Sequence, residues 1–402
     1  MRPFEGRRVL LGVTGGIAAY KTATLARELT LAGAEVDVVL TRSAREFVGA
    51  VTFEALTGRP VHDQLVAAGH ALDHIRLPRS ADIIVVAPAT ADFLARAAAG
   101  RADDLITASL LAAGDVPVLI APAMNDRMWA HAQTQANAQR LREFGYHLLE
   151  PDTGMLASRE EGSGPGRMPE PSVIRGHIAR LLEPNNALTG KHVVVTAGPT
   201  REAIDPVRYL SNHSTGKMGV ALAYAAWRRG ATVTLIAGPL AVDPPVGPRI
   251  VHVESTEQMA AAVRASLATA DTLIMAAAPA DFRPDGVAGQ KIKKGDEAPV
   301  LSLAFTADIL KSTRDARRPG CVIVGFALET DDLEANAQAK LASKDLDLIV
   351  ANGVSSDAGF GADTNRVTIF GRDGAREALP LQSKADVAEA ILDRVAGQLD
   401  GR

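Results

Sequence analysis

The sequence predicts two doubly wound α/β domains with mainly parallel sheets, and three observations lead there. Short runs rich in Val, Ile and Leu recur, apolar on both faces as in strands covered by helices on each side. Helical patterns separate the runs, and the series breaks once, at the polar stretch Leu182 to Gly190, before it restarts. The chain has 402 residues, enough for two cores at about 100–200 residues per domain. The expected domains are therefore 1–186 and 187–402.

In the first domain the strands are read at Val9 to Val13, Val36 to Leu40, Ile83 to Ala87 and Val118 to Ala121. In the second they are read at Lys191 to Thr196, Thr232 to Ala237, Thr272 to Ala276, Val322 to Phe326 and Leu348 to Ala351. Both domains open alike: a strand, a glycine turn, a helix, and then Gly33-Ala34-Glu35-Val36 in one and Gly230-Ala231-Thr232-Val233 in the other. Each glycine can end a helix, and the Val after it begins the next strand of a βαβ unit. Two stretches, Asp152 to Pro171 and Ala277 to Pro299, are too long and Gly-rich for mere connectors and read as functional or disordered loops.

Composition narrows the function. Hydrophobic residues at 47% and charged residues at 22% exclude a disordered chain. Lys+Arg 43 against Asp+Glu 47 leaves a net charge of −4, which removes the electrostatic motive for a nucleic-acid or membrane-surface protein. Cys321 is the single cysteine, so neither an internal disulfide nor a cysteine-based zinc site can form within one chain, as suits a reducing cytosol. Gly15-Gly16 cuts the first apolar run too short for a signal peptide, and no apolar run approaches the roughly 18 residues of a membrane span. The expectation is a soluble cytoplasmic protein.

Chemistry concentrates where strands end. Gly12-Val13-Thr14-Gly15-Gly16-Ile17-Ala18-Ala19-Tyr20-Lys21 turns the first strand into a helix, where glycines and a helix N-terminus can take a phosphate. Neither GxGxxG nor GxxxxGK[ST] is present, which excludes an NAD oxidoreductase of the usual kind and favours a mononucleotide such as FMN over a dinucleotide. Pro88-Ala89-Thr90-Ala91-Asp92 and Pro122-Ala123-Met124-Asn125 follow the next strands and leave room for a flat ring. Asn125 adds an amide able to bind a carboxylate. His74 reads either as a surface residue or as a base. The runs Gly154 to Ser158 and Gly162 to Pro171, with Arg167, read as a hinged flap over a substrate anion or as a surface loop.

In the second half, Ser211-Asn212-His213-Ser214-Thr215-Gly216-Lys217-Met218-Gly219 reads as a phosphate cradle or as an ordinary capped helix. Lys291-Ile292-Lys293-Lys294 reads as a solvated face or as a loop that swings onto a triphosphate.

Taken together, these motifs resemble the flavin-containing cysteine decarboxylases in the first half. In the second half they resemble the CTP-dependent ligases, the pair being joined in the bifunctional phosphopantothenoylcysteine decarboxylase and phosphopantothenate-cysteine ligase of bacterial coenzyme A synthesis. The resemblance spans nearly the whole chain and implies Rossmann-like or flavodoxin-like domains. For the first half it implies an FMN site at Gly15, Gly16, Ile17, Thr41, Thr90, Ile106 and Thr107. It also implies His74 as the base, Asn125 as holder of the departing carboxylate, and a flap at Gly166, Arg167 and Met168. The implied chemistry oxidises the substrate thiol to a thioaldehyde, releases carbon dioxide and returns the hydride.

For the second half it implies cysteine ligation to 4'-phosphopantothenate through an acyl-cytidylate, with CTP as co-substrate and Mg²⁺. Asn212 would hold the acyl-cytidylate and Lys291 would be the key lysine. The nucleotide site would take Ala276, Ala277, Asp281, Ala307, Asp308, Ile309, Leu310, Phe326, Lys340 and Lys344, with Asp281 also the candidate for contacting the metal. A homo-oligomer, a dodecamer, is implied too.

Three departures stand out. Ser158 occupies the flap position where the family carries a proton-donating cysteine, Thr306-Ala307 replaces the usual Asn-Pro, and Pro279 interrupts the alanine-rich turn. Ser158 keeps open a ligase with an impaired decarboxylase half. A flavin-binding regulatory protein akin to the halotolerance proteins is the other alternative, opposed by the second domain.

Overall fold

The computed structural model describes residues 3–66, 68–158, 160–294, 299–329, 333–353 and 361–401. It divides into two compact units, Met1–Glu183 and Pro184–Arg402.

The first unit is built on a six-stranded sheet whose order runs Val61–His62, Glu35–Leu40, Arg8–Val13, Ile83–Ala89, Val118–Pro122, His147–Leu148, every pair parallel. Ile83–Ala89 is buried at every position, as a central strand covered on both faces must be. The helix Ala19–Leu31 buries Ala19, Thr22, Leu25, Ala26 and Leu29, one stripe at helical spacing. Gly33 then takes φ 96°, which ends that helix and starts the next strand.

The second unit carries an eight-stranded sheet. Arg249–His252, Thr232–Ala237, His192–Ala197, Thr272–Met275, Val322–Glu329 and Leu348–Gly353 are parallel, and Val367–Gly371 and Arg376–Ala378 add an antiparallel edge. Gly219 lets the helix Lys217–Arg228 lie directly on the first strand, since a Cβ there would sit 2.7 Å from the Thr196 carbonyl oxygen.

Both long stretches expected to be loops contain strand. Asp152–Met155 pairs antiparallel with Ser163–Arg167 as a hairpin. Phe282–Pro284 pairs with Leu303–Phe305. Among the described residues no helix is long and apolar enough to cross a membrane.

Candidate functional site

In the first unit a cavity of about 620 Å³ opens at the carboxyl ends of the central strands, within the range of about 300–1,000 Å³ typical of small-molecule sites. Gly15, Gly16, Ile17, Thr90 and Asn125 line it together with the hairpin residues Gly166, Arg167 and Met168. Thr14 organises the floor: its Oγ1 donates to the Pro88 carbonyl at 2.7 Å and accepts from the Thr90 amide at 3.1 Å. The Thr90 side chain in turn caps the next helix by accepting from Phe93 N–H.

Among the described residues the amides of Gly15, Gly16 and Ile17 donate to no protein acceptor. They precede the N-terminus of Ala19–Leu31, the place where an anion is stabilised. The two glycines differ in purpose. A Cβ on Gly15 would lie 2.3 Å from Ser43 Cβ, so that glycine admits the neighbouring loop, whereas Gly16 faces open space with Thr90 Cγ2 nearest at 3.8 Å.

Asn125 is held by its own helix. Its Oδ1 caps Asp126–Ala130 by accepting from Arg127 N–H at 2.9 Å, which leaves Nδ2 to donate to Glu161 Oε2 at 3.3 Å. The hairpin docks on this turn through Met124 N–H to the Gly166 carbonyl at 2.9 Å. Only glycine fits there, because a Cβ on residue 166 would meet the Met124 oxygen at 2.2 Å. Lys21 and Arg167 share one oxygen of Glu170, at 2.7 and 2.8 Å, so the rim keeps one uncompensated positive charge among these three.

Other expected residues lie elsewhere. Thr41, Ile106 and Thr107 do not line the cavity. Ile106 is buried under Gly12, and Thr107 closes a capping box with Asp104. Ser158 is exposed in the hairpin turn, accepting from Glu161 N–H at 3.3 Å, and it too is absent from the lining, whereas Glu161 is part of it. His74, in the first turn of Asp73–Ser80, lies outside the lining as well, with its Nδ1 buried and unpartnered among the described residues.

The second unit has a cavity of about 580 Å³, again at the ends of parallel strands. Asn212, Ala276, Ala277, Asp281 and Phe326 from the expected set line it. Ala277 N–H is fixed by Thr196 Oγ1 at 3.1 Å, and Asn212 Nδ2 donates to the Pro279 carbonyl at 3.0 Å. The helix Lys217–Arg228 starts at Gly216, φ 79°, without a side-chain cap. The capped-helix alternative therefore fails, and the hydroxyls of Ser214 and Thr215 line the cavity instead.

Of the remaining lining groups, Lys217 belongs to the motif Ser211 to Gly219, whereas Lys384 and Asn352 carry no local sequence signal. Lys217 Nζ donates to the Gly361 carbonyl at 2.8 Å and pairs with Asp363 at 2.6 Å, while Lys384 Nζ donates to the Ala362 carbonyl. Burial, and then the Lys217 charge, hold the Lys384 ammonium below the usual lysine range against the pull of Asp363. Asn352 Oδ1 is buried without a partner among the described residues and faces the same space.

Lys291, Asp308, Ile309, Leu310, Lys340 and Lys344 do not line this cavity. The Lys291 loop is tied down at Ile292, whose amide donates to Asp205 and whose carbonyl accepts from Arg208. Asp308 caps the helix Ile309–Ser312 and pairs with Lys344 at 3.2 Å. Ala307 lines a separate cleft of about 930 Å³ with Arg201, Arg208, Arg283 and Phe305.

Comparison with known proteins covers both units. Residues 2–183 match the flavoprotein family model, and residues 188–399 match the model of the DNA/pantothenate metabolism flavoprotein C-terminal domain. The chain is 48% identical over 411 residues to the coenzyme A biosynthesis bifunctional protein CoaBC of Mycobacterium tuberculosis, covering 98% of this chain and 97% of that protein. It is 44% identical over 404 residues to the protein of the same name from Vibrio cholerae, covering 99% and 100%. Among solved structures, the C-terminal domain of a coenzyme A biosynthesis bifunctional protein aligns at 40% identity over 54% of this chain and 100% of that one, with a TM-score of 0.47.

Proposed function

The chain belongs to the family of bifunctional coenzyme A biosynthesis proteins, with a flavoprotein decarboxylase half and a ligase half, and we propose how its two cavities divide that work. In the first, the free amides of Gly15 to Ile17 fit the phosphate of FMN, and the small Ala123 and Thr90 turns fit its ring. When bound, FMN supplies two-electron oxidation of a thiol and its reversal. The protein's part is placement: Asn125 presents Nδ2 to the carboxylate of phosphopantothenoylcysteine, and the hairpin excludes water.

His74 is the base of this reading. A base works within about 3 Å of its proton, and because His74 does not line its own chain's cavity, this reading assigns it to the cavity of another copy. That requirement supports the homo-oligomer, with a dodecamer expected; elution at monomer mass would contradict it.

In the second cavity we assign ligation of cysteine to 4'-phosphopantothenate through an acyl-cytidylate. Asn212 sits between the alanine turn and the Ser214-Thr215 cradle, where it can hold the activated acyl group. Asp281 lines the cavity and pairs with no cation among the described residues, which suits a Mg²⁺ ion shared between one carboxylate and nucleotide phosphates. Lys291, the Ala307 to Leu310 segment, Lys340 and Lys344 belong to the CTP site in this reading, and CTP would have to draw them to a cavity that none of them lines.

The observation that carries the reading is the fixed Asn125 amide facing a glycine-turn cavity in one unit, together with an uncapped hydroxyl-rich helix start in the other. Incubation with CTP, Mg²⁺, cysteine and 4'-phosphopantothenate should yield 4'-phosphopantetheine and carbon dioxide. Accumulation of the cysteine adduct without carbon dioxide would leave only the ligase.

A further inference from the structure

Next to His74, but separate from the FMN cavity, three metal-ligating side chains converge. Asp73 is the first residue of its helix and its side chain is 4% exposed. Its Oδ2 lies 3.0 Å from His62 Nδ1 and 2.9 Å from His70 Nδ1. His62 ends the edge strand Val61–His62, and His70 stands in the segment before the helix. The two rings are 6.1 Å apart and nearly perpendicular at 73°, so their nitrogens approach the carboxylate from different directions. One ligand atom from each of the three side chains falls within 4.8 Å of the other two.

Tetrahedral ligands at about 2.0–2.1 Å from a metal are roughly 3.3 Å apart, so the two His–carboxylate separations need to lengthen by only a few tenths of an ångström, and the imidazoles turn to aim at a common point. The support around the carboxylate is already present: Arg76 donates to the other oxygen, Oδ1, at 2.9 Å and fixes its orientation. Two imidazoles and a carboxylate suit Zn²⁺, Co²⁺ or Ni²⁺ and not the oxygen-preferring Mg²⁺ or Ca²⁺. His70, half exposed, leaves the fourth position to water.

We infer that His62, His70 and Asp73 form a binding site for a borderline divalent cation such as Zn²⁺. The ion takes the two Nδ1 lone pairs and Asp73 Oδ2, and both imidazoles keep their proton on Nε2. It clips the sheet edge to the first turn of the helix that bears His74, so its role is to hold that helix and not to carry out a chemical step. None of this depends on the decarboxylase assignment.

The test uses the full-length chain without a histidine tag, stripped of metal with a chelator. Titration with Zn²⁺ followed by calorimetry should show one equivalent per chain, and Co²⁺ should develop the visible absorption of a four-coordinate ion. His70→Ala, exposed enough to leave folding intact, and His62→Ala should each weaken Zn²⁺ binding at least tenfold, and the double variant should lose it. Zn²⁺ should raise the melting temperature of the wild type but not of the double variant. Absence of stoichiometric binding in the wild type overturns the site, and so does unchanged affinity in His62→Ala/His70→Ala.

Discussion

The two units share an architecture and use it differently. In the first, the glycine turn runs straight from the strand Arg8–Val13 into the helix Ala19–Leu31, and the anion site we propose is made of backbone amides beside that helix. In the second, the strand His192–Ala197 is separated from its helix Lys217–Arg228 by a small antiparallel excursion, Arg201–Ala203 with Tyr209–Ser211. There the cavity is lined by polar side chains, Ser214 and Lys217 from one helix start and Asn352 and Lys384 from separate elements. A backbone site cannot be deleted by one substitution but can be obstructed; a side-chain site is the reverse. The first unit should therefore be most sensitive where its single orienting amide and its flap contacts lie, and the second wherever one polar group is removed.

The largest effect tests the second unit. Asn212→Ala or Lys291→Gln should lower CTP-dependent formation of the cysteine adduct by about 10³, the scale of losing a group that stabilises developing charge. Decarboxylation of supplied phosphopantothenoylcysteine should stay unchanged. Unchanged ligation in Lys291→Gln would remove that lysine from the site and leave Lys217 and Lys384 as the cavity's cations.

The next effect tests the first unit and its need for a second copy. Asn125→Ala and His74→Asn should each reduce carbon dioxide release by about 10². Co-expressed in one assembly, the two variants should recover a measurable fraction of wild-type activity, since an intact Asn125 cavity can then meet an intact His74 from another copy. No recovery would place His74 in its own chain's cavity through a rearranged segment.

A third measurement distinguishes the units by stability. Cys321 is the chain's single cysteine, it belongs to the second unit, and burial pushes its thiol up to about 11. Labelling by a thiol reagent at pH 8 therefore reports opening of that unit alone and should be slowed at least 100-fold relative to unfolded chain. The linkage has a definite sign. A raised folded pKa contributes stability that is intact below the unfolded value of about 8.5 and is lost as pH rises toward the folded value. The second unit should weaken by about 3 kcal/mol across that alkaline window, while flavin retention in the first does not follow it.

How much of this was legible follows from where the signal resides. The central strands could be read because both faces are apolar, as in Ile83–Ala89 and His192–Ala197. The edge strands Val61–His62 and His147–Leu148 could not, since two residues carry no period. The flap hairpin escaped because Ser163–Arg167 is made of Ser, Gly, Pro and Arg, without β-branched residues; it pairs through its backbone. Gly15, Gly16, Thr90 and Asn125 were visible as turns at strand ends, a local property. Lys384 and Asn352 were not, because only the fold brings a helix start and a late strand to the Lys217 helix.

The smallest expected change bears on the flap, where the chain departs from the family it belongs to. Ser158 is expected at the family's cysteine position, and its hydroxyl does not ionise where a thiol of pKa about 8.5 does. In the structure it is turned away to Glu161 N–H, and the flap group that faces Asn125 across the cavity is the Glu161 carboxylate. That position makes Glu161, rather than Ser158, the expected donor of the final proton. Glu161→Gln should slow the final protonation about tenfold, seen as build-up of the decarboxylated, still oxidised product by rapid quench, with substrate binding little changed. Ser158→Cys in that background should restore part of the rate and introduce a dependence on thiol alkylation that the wild type lacks. If Ser158→Cys alone raises turnover tenfold while Glu161→Gln has no effect, the flap retains the family's donor position and the serine is a plain impairment. The two units would then differ in competence as well as in construction, with a ligase of full strength feeding a slow decarboxylase.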